Sequence, residues 1–221
     1  MVTAHIASIS TREESLKRVI QSMYNQVDAI FIALNDYKEV PAWLSKYPKA
    51  QGVLLDNQLK DTAKFLFIHE IEGLCLVWDD DLCMPNFCVR YLELGLKKYG
   101  GVVGLHGKVY DKSKEIQFKK WSANYRCLGT CAEDARVDII GSGVMLFDNR
   151  QVKLDLSVFE YPGMADVTFS RVCHQQNIPM TVLKHPASYL TYVPPGDTIW
   201  RNTRDFTQHN KLLNEFLLHH N

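Results

Sequence analysis

Four apolar runs, at 2–8, 29–34, 53–55 and 74–78, are spaced so that a helix-like segment fits between each and the next. No other feature narrows the possible folds as much. The run at 74–78 reads as a strand covered on both faces and that at 29–34 as a buried one, and strand–helix alternation winds the four into a mainly parallel sheet flanked by helices. After the first run, Leu16, Val19, Ile20 and Met23 recur at helical spacing, and Ser10 and Thr11 each stand three residues ahead of a glutamate, Glu13 and Glu14, as in a capping box. Further helices are expected from Pro41 to Tyr47, from Ala63 to His69 and from Pro85 to Tyr99, the last stopped by Gly100 and Gly101. A fifth strand is expected over 102–105.

Residues 107–137 break the rhythm. They are polar and lysine-rich, and short strands and loops are expected there. The stretches 137–140 and 144–147 then read as strands on either side of Gly141-Ser142-Gly143. That turn is either a tight hairpin or a place where a ligand approaches the backbone. A helix over 165–176, a strand over 181–183 and an amphipathic helix over 205–218 complete the pattern. Pro194-Pro195-Gly196 is expected to end the compact part, and His219 and His220 to be solvated.

With 221 residues the chain can bury one substantial core. Its 25 basic and 25 acidic residues cancel, which argues against a general nucleic-acid binder. No apolar run is long enough to span a membrane. The opening MVTAHIASIS lacks the basic start of a signal peptide, so a cytoplasmic location is expected. The six cysteines fall mostly in apolar segments and read as reduced, buried thiols. Cys127 and Cys131 have no second close Cys/His pair that would complete a zinc site.

The polar residues that follow the strands point to function. Three strands end in Asn35-Asp36, Asp56 and Asp79-Asp80-Asp81, and in parallel α/β sheets ligands bind at the carboxyl ends of strands. Three consecutive carboxylates need positive charge nearby. Water, a lysine or a helix N-terminus could supply it, and a hard divalent cation is the sharper candidate. No G-x-G-x-x-G follows the first strand and no G-x-x-x-x-G-K-[ST] occurs anywhere.

The stretches HIASISTREESLKRVIQSMYNQVDAIFIALND (5–36), DTAKF (61–65), VWDDDL (77–82), Gly141-Ser142-Gly143 with the apolar strand after it, and MADVTFSRVCHQQNIPM (164–180) resemble, in order and spacing, a family 2-type glycosyltransferase with the GT-A fold. The resemblance runs from Val2 to about Leu183. Ala165 departs from it, standing where many relatives have an acidic residue.

The resemblance implies one α/β domain over 1–196, with a donor half over about 1–106 and an acceptor half over about 107–196, followed by a tail and helix over 197–221. It implies transfer of a sugar from a nucleotide diphosphate to an acceptor hydroxyl, with inversion, assisted by Mn²⁺ or Mg²⁺. Asp81 is the expected direct metal ligand, Asp79 would bind the metal or the ribose, and His185 is a conceivable third ligand. Asp80 counts among the donor contacts and is expected to face solvent.

Ala7 and Ser8 would put backbone near the base, with Asn35, Asp36 and Asp61 near the nucleoside. Lys64 would meet a phosphate or pair with Asp61. Gly141, Ser142 and Gly143 would line the donor, and Asp166 would act as the base. The expected acceptor is a glycan or glycolipid, with a hydroxylated DNA base less favoured. The alternative is a metal-dependent phosphohydrolase or nucleotidyltransferase. A cytidylyltransferase-like chain would want a glycine-rich basic loop after the first strand, where SISTREES offers Arg12 but no glycine. A third reading is a binding module without catalysis.

Overall fold

The computed structural model describes residues 1–194 and 205–218. Strand β1 (Val2–Ile9) lies between β2 (Ala29–Asn35) and β4 (Leu74–Asp79), with β3 (Ala50–Leu55) outside β2. All four run parallel. Beyond β4 the sheet continues through β11 (Val144–Asp148), β6 (Val102–Gly104), β12 (Met180–Val182) and β9 (Ala135–Arg136). Strand β11 is antiparallel to both its neighbours, which leaves β6 and β12 parallel to the first four. Six strands therefore end on one edge, and β11 starts there. This is the mainly parallel α/β sheet expected from the alternation, with the run at 74–78 as an inner strand.

Strand β4 shows why its sequence is apolar without a break. Leu76 and Trp78 enter the cluster under helices α1 (Glu13–Met23) and α2 (Cys88–Tyr99), whereas Cys75 and Val77 enter the cluster under α3 (Ala165–Gln175). A strand buried on both faces reads as a near-continuous apolar run. The Trp78 indole donates to the Leu82 carbonyl at 2.6 Å, so its one polar atom is satisfied. Helix α4 (Thr207–Leu218) packs on α3 in a third cluster, around Leu213, Phe216 and Val167.

A small sheet stands beside the large one, with β7 (Gly107–Val109) between β10 (Ile139–Ile140) and β8 (Ala123–Tyr125). A two-stranded ribbon joins β5 (Leu82–Cys83) to β13 (Thr191–Tyr192). Pro195 and Gly196, at the expected end of the compact part, and the pair His219-His220 lie outside the described residues; α4, beyond that point, belongs to the third buried cluster.

Several local expectations are corrected. Ser10 to Arg12 form a 3-10 turn, α1 starts only at Glu13, and neither Ser10 nor Thr11 caps it. The DTAKF segment is a 3-10 helix, Lys60–Phe65, rather than an α-helix over 63–69. The helix after Pro85 begins at Cys88, because Gln26 holds the entry: its amide donates to the Pro85 carbonyl and accepts from the Val89 N–H. Gly141 to Gly143 do not close a hairpin, since β10 pairs with β7 in the small sheet and β11 with β4 and β6 in the large one.

Candidate active site

The acidic strand ends assemble where the topology puts them. Ala7, at the end of β1, is in register with Asp79 of β4 and with Ala33 of β2. The chain turns at Asp80 and Asp81, and the 3-10 turn after β1 brings Arg12 to them. Arg12 Nη1 lies 2.8 Å from Asp80 Oδ1, and Nη2 lies 2.6 Å from Asp81 Oδ2. One planar guanidinium thus spans two carboxylates. Asp80 is 1% exposed, so the expectation that it faces solvent is wrong. The arginine that sequence reading passed over supplies the charge that permits its burial.

Asp79 has a different cation. Lys64, buried in the 3-10 segment, places Nζ 2.6 Å from Asp79 Oδ1 and donates to the Ser142 carbonyl at 3.4 Å. The expected Lys64–Asp61 pair is not the one formed. Asp61 accepts from the N–H groups of Gly163 and Ala165 and so ties the 3-10 segment to the start of α3. Burial raises the Asp61 carboxyl, with Lys64 opposing.

Burial also pushes up the Asp79 carboxyl, but Lys64 overrides it and holds the group below the usual carboxylate range. Burial raises Asp80 to about 6 against the pull of Arg12. Burial and neighbouring Asp79 raise Asp81 to about 7, again against Arg12.

The Gly141-Ser142-Gly143 turn is the hub of the site. A side chain at Gly143 would overlap the Asp79 carboxylate, and one at Gly141 would press on the His106 ring. Between them Ser142 donates from its backbone N–H at 2.8 Å and from Oγ at 2.6 Å to Asp166 Oδ1, in the first turn of α3. The turn therefore seats Asp79, Lys64 and Asp166 in one cleft, and His106 stands at its side. Sequence reading missed His106. Burial lowers its imidazole pKa, and Asp166 opposes the shift.

At the end of β2, Asn35 is buried and donates to the Lys60 carbonyl, while its Oδ1 has no partner. Asp36 is exposed in left-handed backbone and accepts from Asn57. Asp56 caps its own turn by accepting from Gln58. Ser8 is buried, with its hydroxyl 3.5 Å from that of Tyr37.

His185 does not join the carboxylates. Its ring nitrogens face the carbonyls of Leu183 and Arg126, at 2.7 and 3.2 Å. Among the described residues no three Asp, Glu, His or Cys side chains converge as a metal cage, so the expected set of Asp79, Asp81 and His185 is not assembled. All six cysteines are free thiols. No helix among the described residues is long and apolar enough to cross a membrane.

No protein-family profile matches the sequence, and no curated protein matches it. Solved structures do match. One is described as a glucose-1-phosphate thymidylyltransferase from Bacillus anthracis, with a TM-score of 0.56 and 11% identity over 91% of this chain and 93% of that one. The 4-diphosphocytidyl-2C-methyl-D-erythritol synthase of Anaerococcus prevotii has a TM-score of 0.56 and 13% identity over 91% and 95%. A nucleoside-diphosphate-sugar pyrophosphorylase from Vibrio cholerae has a TM-score of 0.54 and 8% identity over 91% and 98%. At such identities the likeness shows the fold alone, a GT-A-like α/β sheet flanked by helices.

Proposed function

We propose that the chain is a nucleotide-dependent transferase that binds its nucleotide across the carboxyl ends of β1, β2 and β4 and acts on a sugar-containing partner substrate. One observation carries this reading. At the sheet edge where α/β folds take ligands, two sheltered cations, Arg12 and Lys64, are balanced against Asp79, Asp80 and Asp81. Phosphate oxygens need such cations, and a divalent metal needs such carboxylates. Asp81 and Asp79 would hold the metal, which draws few carboxylates from a protein when phosphates supply the other oxygens. When bound, it supplies positive charge to the phosphates. His185 is left out of that set.

Nucleotidyl transfer, the reaction in the name of the similar thymidylyltransferase, is the first reading here. An oxygen of a sugar phosphate attacks the α-phosphorus of a nucleoside triphosphate, the bond to the bridging oxygen breaks, and pyrophosphate leaves. The attacking oxygen is already anionic and needs no base. In this reading Arg12 and Lys64 offset charge, and Asp166 positions the turn through Ser142.

A second reading, glycosyl transfer, is favoured by a specific observation: the chain has no glycine before Gly52, so no glycine-rich loop follows β1 to cradle a triphosphate. There, an acceptor hydroxyl attacks the anomeric carbon of a nucleotide sugar, the nucleoside diphosphate leaves, and Asp166 takes the hydroxyl proton. The test is to incubate the protein with Mg²⁺ or Mn²⁺ and two substrate panels. One pairs nucleoside triphosphates with sugar 1-phosphates, and the other pairs nucleotide sugars with hydroxyl acceptors. Pyrophosphate release in the first supports nucleotidyl transfer, nucleoside diphosphate release in the second supports glycosyl transfer, and neither product rejects the transferase reading.

A further inference from the structure

The two edges of the large sheet are unlike. One is β9, only two residues long and carrying exposed Arg136. A short, charged edge resists pairing with another chain. The other is β3, six residues reading AQGVLL, with no charge and no proline. Val53 and Leu54 are 40% and 42% exposed there, on opposite faces of the strand. An uncharged apolar edge of this length is a template for another strand.

The backbone of β3 decides how a strand can add to it. The Lys49 carbonyl accepts from the Ile30 N–H and the Leu55 carbonyl from the Asp36 N–H, so the odd-numbered residues bond to β2 and the even-numbered ones point outward. Of the outward N–H groups, that of Ala50 already donates to the Tyr47 carbonyl. Those of Gly52 and Leu54, with their carbonyls, have no backbone partner among the described residues. Beside them lies a hollow of about 330 Å³, whose walls include Pro41, Leu44, Tyr47, Ala50 and Gly52.

We infer that β3 pairs antiparallel with β3 of a second copy about a two-fold axis at Val53, joining the two large sheets into one. Gly52 then stands opposite Leu54 of the second copy and exchanges both backbone hydrogen bonds with it, and the axis repeats the exchange. All the free groups of Gly52 and Leu54 are used. Centring the pair on Gly52 instead would set Leu54 against Ala50, whose N–H is taken. Val53 meets its own copy in the closer, non-hydrogen-bonded pair at the axis. Opposed residues share a face, so Leu54 of the second copy lies over the hollow beside Gly52, where no side chain blocks it. At the ends, Asp56 of the second copy comes opposite Ala50 and next to Lys49, so unlike charges meet. The pairing uses up both β3 edges and β9 offers no second one, so it closes at two copies. It holds whatever reaction the cleft performs.

One strand pair is small beside a standard interface of about 1,600 Å², so a reversible dimer is expected. The test is sedimentation equilibrium of the full chain from about 1 μM to about 1 mM. The mass should rise from 25.4 kDa toward twice that value. Val53→Lys sets two ammonium groups face to face at the axis, and Leu54→Lys puts a charge over the apolar hollow. Each should weaken the dimer at least tenfold. Leu94→Lys, which changes an exposed leucine on α2, should leave it unchanged.

Cysteine substitution checks the register. Under mild oxidation with copper phenanthroline, Val53→Cys should link two copies through position 53, whereas Gln51→Cys, exposed on the same face, should not link through position 51. Peptide masses separate these links from any made by the native cysteines, and circular dichroism shows whether each variant is folded. A dimer that survives both Val53→Lys and Leu54→Lys, or equal linking at positions 51 and 53, would overturn the inference. So would a chain that stays monomeric at about 1 mM, which would leave the β3 edge to a strand of another protein.

Discussion

Lys64 Nζ and Asp79 Oδ1 lie 2.6 Å apart, and the two partners are unequally sheltered: the lysine side chain is 3% exposed and the aspartate 43%. The pair is a buried cation beneath a carboxylate that opens on the cleft. Its two halves should therefore fail differently. Removing the carboxylate leaves a sheltered ammonium that has lost its ion-pair partner and keeps the Ser142 carbonyl, a loss of up to about 3–5 kcal/mol. Removing the lysine leaves a carboxylate that water can reach. Asp79→Ala is expected to lower stability by that amount and Lys64→Met by clearly less, as measured by urea unfolding. Equal losses would show that the exposure difference is not felt.

The hub turn makes a sharper demand. Gly143→Ala adds only a methyl group, yet that methyl overlaps the Asp79 carboxylate. The expected outcome is a folded protein with nucleotide affinity reduced about tenfold, roughly 1.4 kcal/mol. Gly129→Ala serves as control, because a side chain there meets nothing closer than 3.4 Å. Titration of both variants with nucleotide decides it, and unchanged affinity in Gly143→Ala would remove the turn from the site.

The pH dependence follows from opposing groups. Asp80 and Asp81 titrate at about 6 and about 7 in the folded chain against 3.8 unfolded. The folded state therefore binds more protons at these groups, and they add stability as pH falls from about 7 toward 4. His5 is buried, and burial holds its imidazole at about 3 against 6.5. The unfolded state binds more protons there, so stability is lost as pH falls below about 6.5. The Asp80→Asn, Asp81→Asn double variant keeps only the second effect. Its melting temperature should fall more steeply than wild type between pH 7 and pH 5. Parallel curves would contradict the shifts assigned to the two carboxylates.

Much of the fold was legible in the sequence, because burial on both faces leaves an uninterrupted apolar run, as at Leu74–Trp78, and α1 shows its inward stripe at Leu16, Val19, Ile20 and Met23. The position of Asp79–Asp81 at the ligand edge followed from the winding alone. The partners of those residues did not. Arg12 and Asp81 are 69 residues apart, and Asp61 and Ala165 are 104 apart. No local spacing tells a cation or a cap which distant group it will meet. The same limit hid the work of Gly141-Ser142-Gly143, whose contacts come from β4, the Lys60–Phe65 segment and α3. A cation directly after the first strand, facing three carboxylates on the same edge, was the one available signal for Arg12.

Asp166→Asn separates the two chemistries. If a hydroxyl is the nucleophile, loss of the base should reduce transfer about 10²-fold or more with nucleotide affinity unchanged. If an anionic sugar phosphate is the nucleophile, turnover should fall less than tenfold. The rate of product release under saturating nucleotide reads this directly.

The most direct measurement of nucleotide binding at the carboxyl ends of β1 and β4 is calorimetric titration of uridine, guanosine, cytidine, adenosine and thymidine diphosphates with Mn²⁺ into wild type, Arg12→Gln and Asp81→Asn. The expected result is that at least one nucleotide binds the wild type and loses tenfold or more in each variant, while circular dichroism shows both variants folded. If no nucleotide binds, or the variants bind as tightly as wild type, the site does not lie where Arg12 and the three carboxylates meet.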